Sequence, residues 1–352
     1  MSTKTKILVV RTDYLGDVLL SLPALSLLRQ TDPEAEIDFF CREEFVDLIS
    51  PFASERKIRT VQFCDNRVAP LAKTLVGQGY SAALLLKASA RMALACWRAS
   101  IRVRVGLYSK PWSFLTLNKG IRQHRWKAEK NEACYNIELA QCLLDRLGAG
   151  SSLVPVEKIR LKQNLKASEQ ATAVLAQLDI GKGSDFYVCH PGMRGSAINL
   201  SAESYARLMN RLTAEGLTVL LSIGPSDCDK KIVESIQARC SVKVLPMVGL
   251  PVLAEIFRLS RAVIGPSTGP LHLAHYVGTR AFGFYSPVTT QRAERWAPWG
   301  GAGEVEIFSP EYSCPAVRGC FGQRCTYFSC MDHMSFDNLV SRIKYRGATS
   351  GL

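Results

Sequence analysis

The 352-residue sequence has no apolar run of the roughly 18–20 residues that are needed to cross a bilayer. Its first six residues are followed by four apolar residues before Arg11, so the segment lacks the apolar core of a secretory signal. These absences exclude an integral membrane protein built on apolar helices. They predict a protein that stays in the cytoplasm.

Acidic residues are scarce beside basic ones, with 31 Asp and Glu against 44 Lys and Arg and a formal net charge of +13. Such an excess attracts nucleic acids, acidic membranes or phosphorylated substrates. No recognisable nucleic-acid-binding motif is present, so we expect no nucleic acid partner. Basic residues are densest at 91–130, where Trp97, Trp112, Phe114 and Trp126 interleave with them. This predicts peripheral contact with the inner membrane, unless it is an ordinary solvated face.

Cys-x-x-Cys pairs are also missing, although the chain has twelve cysteines. Without a secretion signal these thiols are expected to be reduced, and most of them to be small core residues. Four lie within seventeen residues, separated by five, four and four others: Cys314, Cys320, Cys325 and Cys330. Four thiolates can hold a metal ion tetrahedrally, so a structural zinc or iron, free thiols and disulfides all stay open.

Short apolar segments alternate with helical periodicity along most of the chain, which predicts an α/β protein with parallel sheets and helices on both faces. Helices are expected at 18–29, 203–215, 229–239, 252–259 and 271–277. The strands are expected at 6–11, 37–41, 60–64, 82–86, 102–106, 186–190, 218–223, 243–245, 262–264 and 281–285.

This pattern predicts two Rossmann-like, doubly wound domains that face a central cleft. Residues 1–160 form the first domain and residues 161–334 the second. A last helix, within 335–352, has no strand after it and is expected to pack back on the first domain. Ligands of open α/β sheets bind outside the carboxyl ends of the strands, so the loops there hold the candidate site residues.

The loop after the first predicted strand carries the candidate general base. Gly16 would permit a tight turn and a close approach to a ligand. Asp17 would lie at the helix start and accept the proton of an attacking hydroxyl, with Asp13 as its competitor. An Asp favoured at that position by helix capping and the helix dipole is the alternative. The loop lacks the Gly-x-Gly-x-x-Gly spacing, which excludes a dinucleotide site of that type.

The loop after the first strand of the second half has the composition of a phosphate site. Gly192 and Gly195 allow backbone amides to point toward a ligand, and Arg194 adds a fixed positive charge. This resembles a phosphate cradle without being a P-loop. A glycine-rich turn with a solvated arginine is the alternative.

A second loop of that half combines turn residues with a helix start. Ser267 and Thr268 supply hydroxyls, and Pro270 stands where proline is favoured in the first helical turn. Free amides at such a helix start suit a diphosphate. His272 would face the ligand from the first turn, or else be an ordinary core histidine. No carboxylate joins it and His275 at the spacing of a metal site.

Segments 12–25, 190–205 and 265–278 resemble the three signatures of the heptosyltransferases, glycosyltransferase family nine. The resemblance implies the GT-B fold, an inverting mechanism and no catalytic metal. It also implies transfer from ADP-heptose to the anionic inner core of lipopolysaccharide. It assigns the general base to Asp17 and donor contacts to Gly269 and His272. With the loops above, the predicted nucleotide-sugar contacts are Gly16, Met193, Arg194, Ser196, Ser267, Thr268, Gly269, Pro270 and His272.

Two positions depart from that family pattern. Many members have Lys-x-Trp-Pro after the second motif, whereas this chain has Ile198-Asn199-Leu200-Ser201. Arg194 would then supply the missing charge. Members also often carry Asp at the position of Ser267. The alternatives are therefore a transferase using another sugar nucleotide, a protein O-heptosyltransferase, and a catalytically silent protein that binds a sugar nucleotide.

Overall fold

The computed structural model describes residues 5–63, 67–150 and 155–347, the side chains of 345–347 excepted. The chain divides into two compact units. The first comprises Met1–Arg125 and Lys130–Lys162, and the second comprises Trp126–Glu129 and Gln163–Leu352.

The described part of the first unit contains one parallel sheet. Its strands are β1 (Lys6–Val10), β2 (Glu36–Phe40), β3 (Ile58–Val61), β4 (Ala82–Leu85), β5 (Val103–Leu107) and β6 (Lys119–Ile121). They are ordered β3-β2-β1-β4-β5-β6, so β1 is central, and Ile7 pairs with Ile37 on one side and Ala82 on the other. Four of the five β1 residues are buried, as expected of a strand covered on both faces. The helices are α1 (Leu15–Leu19), α2 (Leu22–Thr31), α3 (Val46–Glu55), α4 (Val68–Gln78), α5 (Ala90–Arg98), α6 (Pro111–Thr116) and α7 (Glu132–Leu147).

The second unit repeats this order. Its strands are β7 (Tyr187–Cys189), β8 (Val219–Leu221), β9 (Lys243–Val244), β10 (Ala262–Pro266), β11 (Arg280–Phe284) and β12 (Val305–Phe308). They lie in the order β12-β11-β10-β7-β8-β9 and are parallel. The helices are α8 (Leu165–Ala176), α9 (Ala202–Ala214), α10 (Asp227–Gln237), α11 (Leu250–Leu259), α12 (Gly269–Tyr276), α13 (Ala293–Trp296) and α14 (Asp337–Gly347).

In each sheet the unit's first strand lies between its second and its fourth. Chain connections therefore leave in opposite directions from β1 and β4, and likewise from β7 and β10. Such a switch point opens a crevice at the carboxyl ends of the two strands, where ligands of this fold class bind. The loops predicted to hold the site residues follow β1, β7 and β10, so the topology places them at the two switch points.

Several predicted boundaries differ from the structure. The helix expected at 18–29 is two helices, α1 and α2, and Pro23 lies in the first turn of α2. The strand expected at 60–64 is β3, and Cys64 of that range lies outside the described residues. The edge strands β6 and β12 were not predicted, because neither shows a run of buried apolar residues.

The last helix, α14, packs on the second unit, so the expected packing on the first domain is wrong. Leu339, Val340 and Ile343 are buried in the core of the second unit, against residues of α9 and β11. Arg342 Nη1 also donates to Glu306 Oε2 at 2.9 Å. The apolar stripe of α14 determines this packing, because the helix covers a face of the second unit's sheet with that stripe.

Candidate functional site

Arg11, immediately after β1, is the centre of a largely buried group of charges at the switch point of the first unit. Its backbone continues the strand, because its N–H donates to Phe40 O at 2.9 Å. Its side chain is 4% exposed. We call the group the Arg11 cluster; it contains Arg11, Asp13, Asp17, Lys87, Arg125 and Glu132.

The Arg11 guanidinium holds two of the loop carboxylates. Its Nε lies 2.9 Å from Asp13 Oδ2, and its Nη2 pairs with Asp17 Oδ1. On the other side, Nη1 donates to Leu86 O at 3.1 Å and to Asn136 Oδ1 at 3.3 Å. Arg11 is thus fixed by two backbone segments and by α7. The position of the Asp17 carboxylate follows from it.

Asp17 lies in the first turn of α1, whose N-cap residue is Tyr14. Its side chain is 19% exposed, so it is shielded but reachable. Burial raises the pKa of Asp17, and the neighbouring carboxylates of Asp13 and Glu132 act in the same direction, while Arg11 opposes them. A carboxylate whose pKa is raised binds a proton more readily, which suits a general base.

Gly16 does not make the tight turn predicted for it. It lies inside α1, and it is not among the residues with positive φ in the described chain. The left-handed conformation is found instead at Gly195, in the loop after β7, with φ of 74°. That glycine follows Arg194, and both are exposed together with Ser196, while Met193 is half-buried.

In the second unit, the loops after β7 and β10 are adjacent. His190 N donates to Ile264 O at 2.8 Å. A Cβ on Gly265 would come within 2.7 Å of the His190 carbonyl oxygen, so this position requires glycine. His190 Nδ1 lies 2.9 Å from Ser222 Oγ, and burial lowers the pKa of His190 to about 4. The loop after β7 therefore starts from a neutral, buried histidine.

Asn199 fixes the same loop, a role that the sequence did not reveal. Its Nδ2 donates to Pro191 O at 2.8 Å, and its Oδ1 accepts from Leu200 N and from the Tyr205 hydroxyl, both at 2.8 Å. The residue lies in the stretch that departs from the family pattern. Its position after the Gly-rich loop was the available signal, but the identity of a single Asn does not show which of the nearby polar groups it bonds.

The helix start at Pro270 is formed as predicted. Thr268 is the N-cap residue of α12, and Pro270 is in the first turn. The Thr268 side chain makes no capping bond to the helix, and its Oγ1 donates to Pro266 O at 3.3 Å. The first amides of α12 are therefore not closed by their own N-cap side chain. They retain the anion-binding character of a helix N-terminus.

His272, in the first turns of α12, is 2% exposed, and its Nδ1 lacks a hydrogen-bond partner in the described chain. Burial, and then the neighbouring His275, lower the pKa of His272 to about 3. The imidazole is thus neutral near pH 7. An ordinary core histidine would have both ring nitrogens satisfied, so the unpartnered atom favours a binding role over the core alternative.

The four clustered cysteines line one cavity of about 190 Å³ together with Tyr312, Tyr327 and Asp332. Burial raises the pKa of Cys330, with smaller contributions from Cys314, Cys320 and Cys325. Within the described residues, however, no three or more His, Cys, Asp or Glu side chains are arranged to hold a metal ion. The four thiols share a cavity without forming a set of metal ligands, and the zinc or iron site stays a prediction.

Comparison with known proteins identifies the family. The family model described as glycosyltransferase family 9 (heptosyltransferase) matches residues 68–318. The chain belongs to glycosyltransferase family 9. The resemblance to this family is confirmed. Segments 190–205 and 265–278 lie inside the matched range, and segment 12–25 lies before it.

Two curated relatives and one solved structure illustrate the family likeness. A Haemophilus influenzae protein with a provisional glycosyltransferase name is 25% identical over 313 residues, 87% of this chain and 89% of that protein. Lipopolysaccharide heptosyltransferase 3 of Escherichia coli is 24% identical over 310 residues, 81% and 83% of the two chains. The ADP-heptose lipopolysaccharide heptosyltransferase II structure from Escherichia coli has a TM-score of 0.77 at 17% identity and covers 99% of this chain and 100% of that one. The GT-B fold is confirmed.

Proposed function

We propose that this family member is an inverting glycosyltransferase that moves a heptose from ADP-heptose to the inner core of lipopolysaccharide. The observation that carries the proposal is Asp17, a shielded carboxylate with a raised pKa, held by Arg11 at the switch point of the first unit. A carboxylate there is suited to take a proton from a sugar hydroxyl. The relatives named as heptosyltransferases support the choice of sugar.

In the proposed reaction, Asp17 removes the proton of the acceptor hydroxyl as that oxygen attacks the anomeric carbon of the donor sugar. The bond between that carbon and the diphosphate oxygen breaks, and ADP leaves with the bonding electrons. Attack opposite to the leaving group inverts the anomeric configuration. The product is a new glycosidic bond and a proton held by Asp17.

Protein groups of the second unit would bind the diphosphate and stabilise its developing charge. The amides at the start of α12 and the cation Arg194 are suited to this, as preorganised donors that strengthen their interaction as charge develops. Thr268 and the neutral His272 would add uncharged hydrogen-bonding groups. We propose that this set takes the place of a catalytic metal ion.

Donor identity is tested first by binding. Thermal unfolding of the protein is followed with ADP-heptose, ADP, UDP-glucose and GDP-mannose, because a ligand that binds the native state raises the melting temperature. ADP-heptose and ADP should raise it more than the uridine and guanosine ligands do. A larger shift with another nucleotide sugar would replace ADP-heptose as the donor.

Transfer is then measured as release of ADP, with lipopolysaccharide from heptose-deficient cells and purified surface proteins as separate acceptors. Asp17→Ala should bind ADP-heptose as the wild type does and transfer no sugar. Equal activity in that variant would refute the general base. Donor binding without turnover on either acceptor would favour a catalytically silent binding protein, and turnover confined to the proteins would favour a protein O-heptosyltransferase.

We also propose that an exposed apolar and basic face of the first unit rests on an anionic membrane surface. Leu115 is 80% exposed, Trp97 51% and Phe114 49%. The guanidinium of Arg122 lies 5.5 Å from the Phe114 ring centroid. Apolar side chains beside cations suit the boundary between headgroups and acyl chains. Trp112 of the predicted face packs against the core instead, and none of the helices in the described chain is long and apolar enough to span a membrane.

Flotation with vesicles tests this surface. The protein should rise with phosphatidylglycerol vesicles and not with phosphatidylcholine vesicles, and Leu115→Asp should reduce that binding about tenfold. Leu165→Asp is the matched control, because Leu165 is 73% exposed on the second unit. Equal loss in both variants would argue against a specific surface.

A further inference from the structure

Glu132, in the first turn of α7, is the most buried carboxylate of the Arg11 cluster. Its side chain is 1% exposed. A buried charge is costly unless it is paired, so the neighbours of Glu132 decide its contribution. Those neighbours include two guanidinium groups, Arg11 and Arg125, and the N-terminal end of its own helix.

A continuous chain of four charged groups joins these residues to the proposed base. Arg11 Nη2 pairs with Asp17 Oδ1 and also lies 3.4 Å from Glu132 Oε1. That same Glu132 oxygen pairs with Arg125 Nη1. One nitrogen of Arg11 is thus shared by two carboxylates, and one oxygen of Glu132 is shared by two guanidiniums.

Arg125 is itself held rigidly. Its Nε and Nη2 donate to Gln123 Oε1 at 2.9 and 2.7 Å. Gln123 Nε2 donates in turn to Tyr135 O and to Glu138 Oε2, both at 2.8 Å. Because Tyr135 and Glu138 belong to α7, the helix fixes both Glu132 and the cation that neutralises it.

We propose that Glu132 and Arg125 set the basicity of Asp17 through the shared guanidinium of Arg11. This inference rests on the proposed role of Asp17 as the general base. Glu132 competes with Asp17 for the positive charge of Arg11, and Arg125 limits that competition by neutralising Glu132. Both are positioning residues, since they act through Arg11 and not on the reacting atoms.

The charged groups of the cluster act on Asp17 in opposite directions. Asp13 and Glu132 raise the pKa of Asp17 and Arg11 lowers it, in addition to the dominant effect of burial. Lys87, after β4, pairs with Asp13 and offsets that carboxylate. An arginine paired with Asp17 alone would make a poor base of it, since a neighbouring cation favours the ionised form.

Two substitutions should therefore move the titration of Asp17 in opposite directions. Glu132→Gln keeps the shape and an oxygen for both guanidiniums but removes the charge, so the titration midpoint of Asp17 should fall. Arg125→Met removes one of the two guanidiniums that pair with Glu132, so the midpoint should rise. Glu132→Asp retains the charge and should restore most of the wild-type value.

The midpoint is measured without substrate, by carbon-13 NMR of protein labelled in its aspartate carboxyl carbons, with the Asp17 signal assigned by its loss in Asp17→Asn. Asp145→Asn is the matched control, because Asp145 is an exposed carboxylate on the same helix. It should leave the midpoint unchanged. An Asp17 midpoint that stays in place in both variants, or moves in one direction in both, overturns the inference.

Activity provides the second readout, as release of ADP from ADP-heptose on heptose-deficient lipopolysaccharide. Glu132→Gln should lower kcat about tenfold with little change in the KM for donor, and it should move the acidic limb of kcat/KM to lower pH. Arg125→Met should move that limb to higher pH. Midpoints that shift as stated in a protein that transfers no sugar would uphold the inference while the proposed function fails.

Discussion

The two units have the same strand order but opposite chemistry at their switch points. In the first unit the crevice is bordered by charges, with Arg11 joined to Asp13 and Asp17. In the second the two histidines, His190 and His272, are buried and uncharged near pH 7, and the cation Arg194 is exposed. The sheet determines where a site lies, and the loop residues determine what that site can do.

The difference agrees with the roles proposed for the two units. An ionised carboxylate can accept a proton. Backbone amides and neutral imidazoles can instead donate hydrogen bonds to an anion without transferring a proton. Protonated histidines at the second switch point would bind a diphosphate more strongly, and release of the product would become slower. Four experiments test whether the two units are as different as this comparison requires.

The largest effect is expected from Asp17→Asn, which removes the proton acceptor and keeps the size of the side chain. The kcat for transfer should fall by about 10²–10⁴-fold, the usual contribution of a general base. Donor affinity, measured by calorimetry, should stay within about twofold of the wild type, because the proposed donor groups belong to the second unit. A comparable loss of donor affinity would contradict the separation of roles.

Acid should destabilise the second unit through its histidines. The folded pKa of His190 is about 4 and that of His272 about 3, both below the ordinary value of about 6.5, so the unfolded chain binds more protons at intermediate pH. The stability that the two neutral histidines contribute is complete above pH 6.5. It is lost as the pH falls from there through their pKa values in the folded protein. Asp17 has the opposite sign, because its raised pKa makes the fold more stable as that carboxyl is protonated.

Urea unfolding at pH 7, 6 and 5 measures this contrast. Between pH 7 and pH 5 the free energy of unfolding should fall by roughly 1–3 kcal/mol for each buried histidine. His190→Asn should flatten this dependence, whereas His124→Asn, at an exposed position of the first unit, should not. Parallel curves for the two variants would show that the buried histidine is not responsible.

Sequence reasoning recovered the architecture because buried parallel strands are apolar throughout and stand out along the chain. It also located the helix start at Pro270, where Thr268 and Pro270 are local signals. It did not find the Arg11 cluster or the role of Asn199. Arg11 and Glu132 are separated by 121 residues, and a pairing over such a distance leaves no local pattern.

The placement of α14 shows the same limit. The sequence predicted a final helix, and the structure contains it. The apolar stripe of that helix does not show which unit it packs against. The face that α14 covers is formed by residues of α9 and β11, which are distant from α14 in the sequence. The charge pairs of the Arg11 cluster and the packing partners of α14 join residues that are far apart in the sequence. They can be recognised only once the strand order is known.

A smaller effect is expected where the loops after β7 and β10 meet. Gly265→Ala would place a Cβ within 2.7 Å of the His190 carbonyl oxygen, which is backbone and has little room to move. We expect a loss of about 1–3 kcal/mol in the free energy of unfolding, as for other overpacked sites. Gly77→Ala is the control in the first unit, because a Cβ there meets nothing within 4 Å and the residue lies in α4. It should be neutral or stabilising by up to about 1 kcal/mol.

The smallest effect, and the sharpest distinction, comes from two hydroxyls at helix starts of the second unit. Thr268 does not cap α12, whereas Ser226 caps α10 and accepts from Asp229 N at 3.2 Å. Thr268→Val should therefore change stability by less than about 0.5 kcal/mol but weaken donor binding several-fold. Ser226→Ala should cost about 1 kcal/mol of stability and leave donor binding as it is. If Thr268→Val loses stability and keeps its affinity, the hydroxyl is structural, and the donor contacts at this helix start are made by the backbone amides alone.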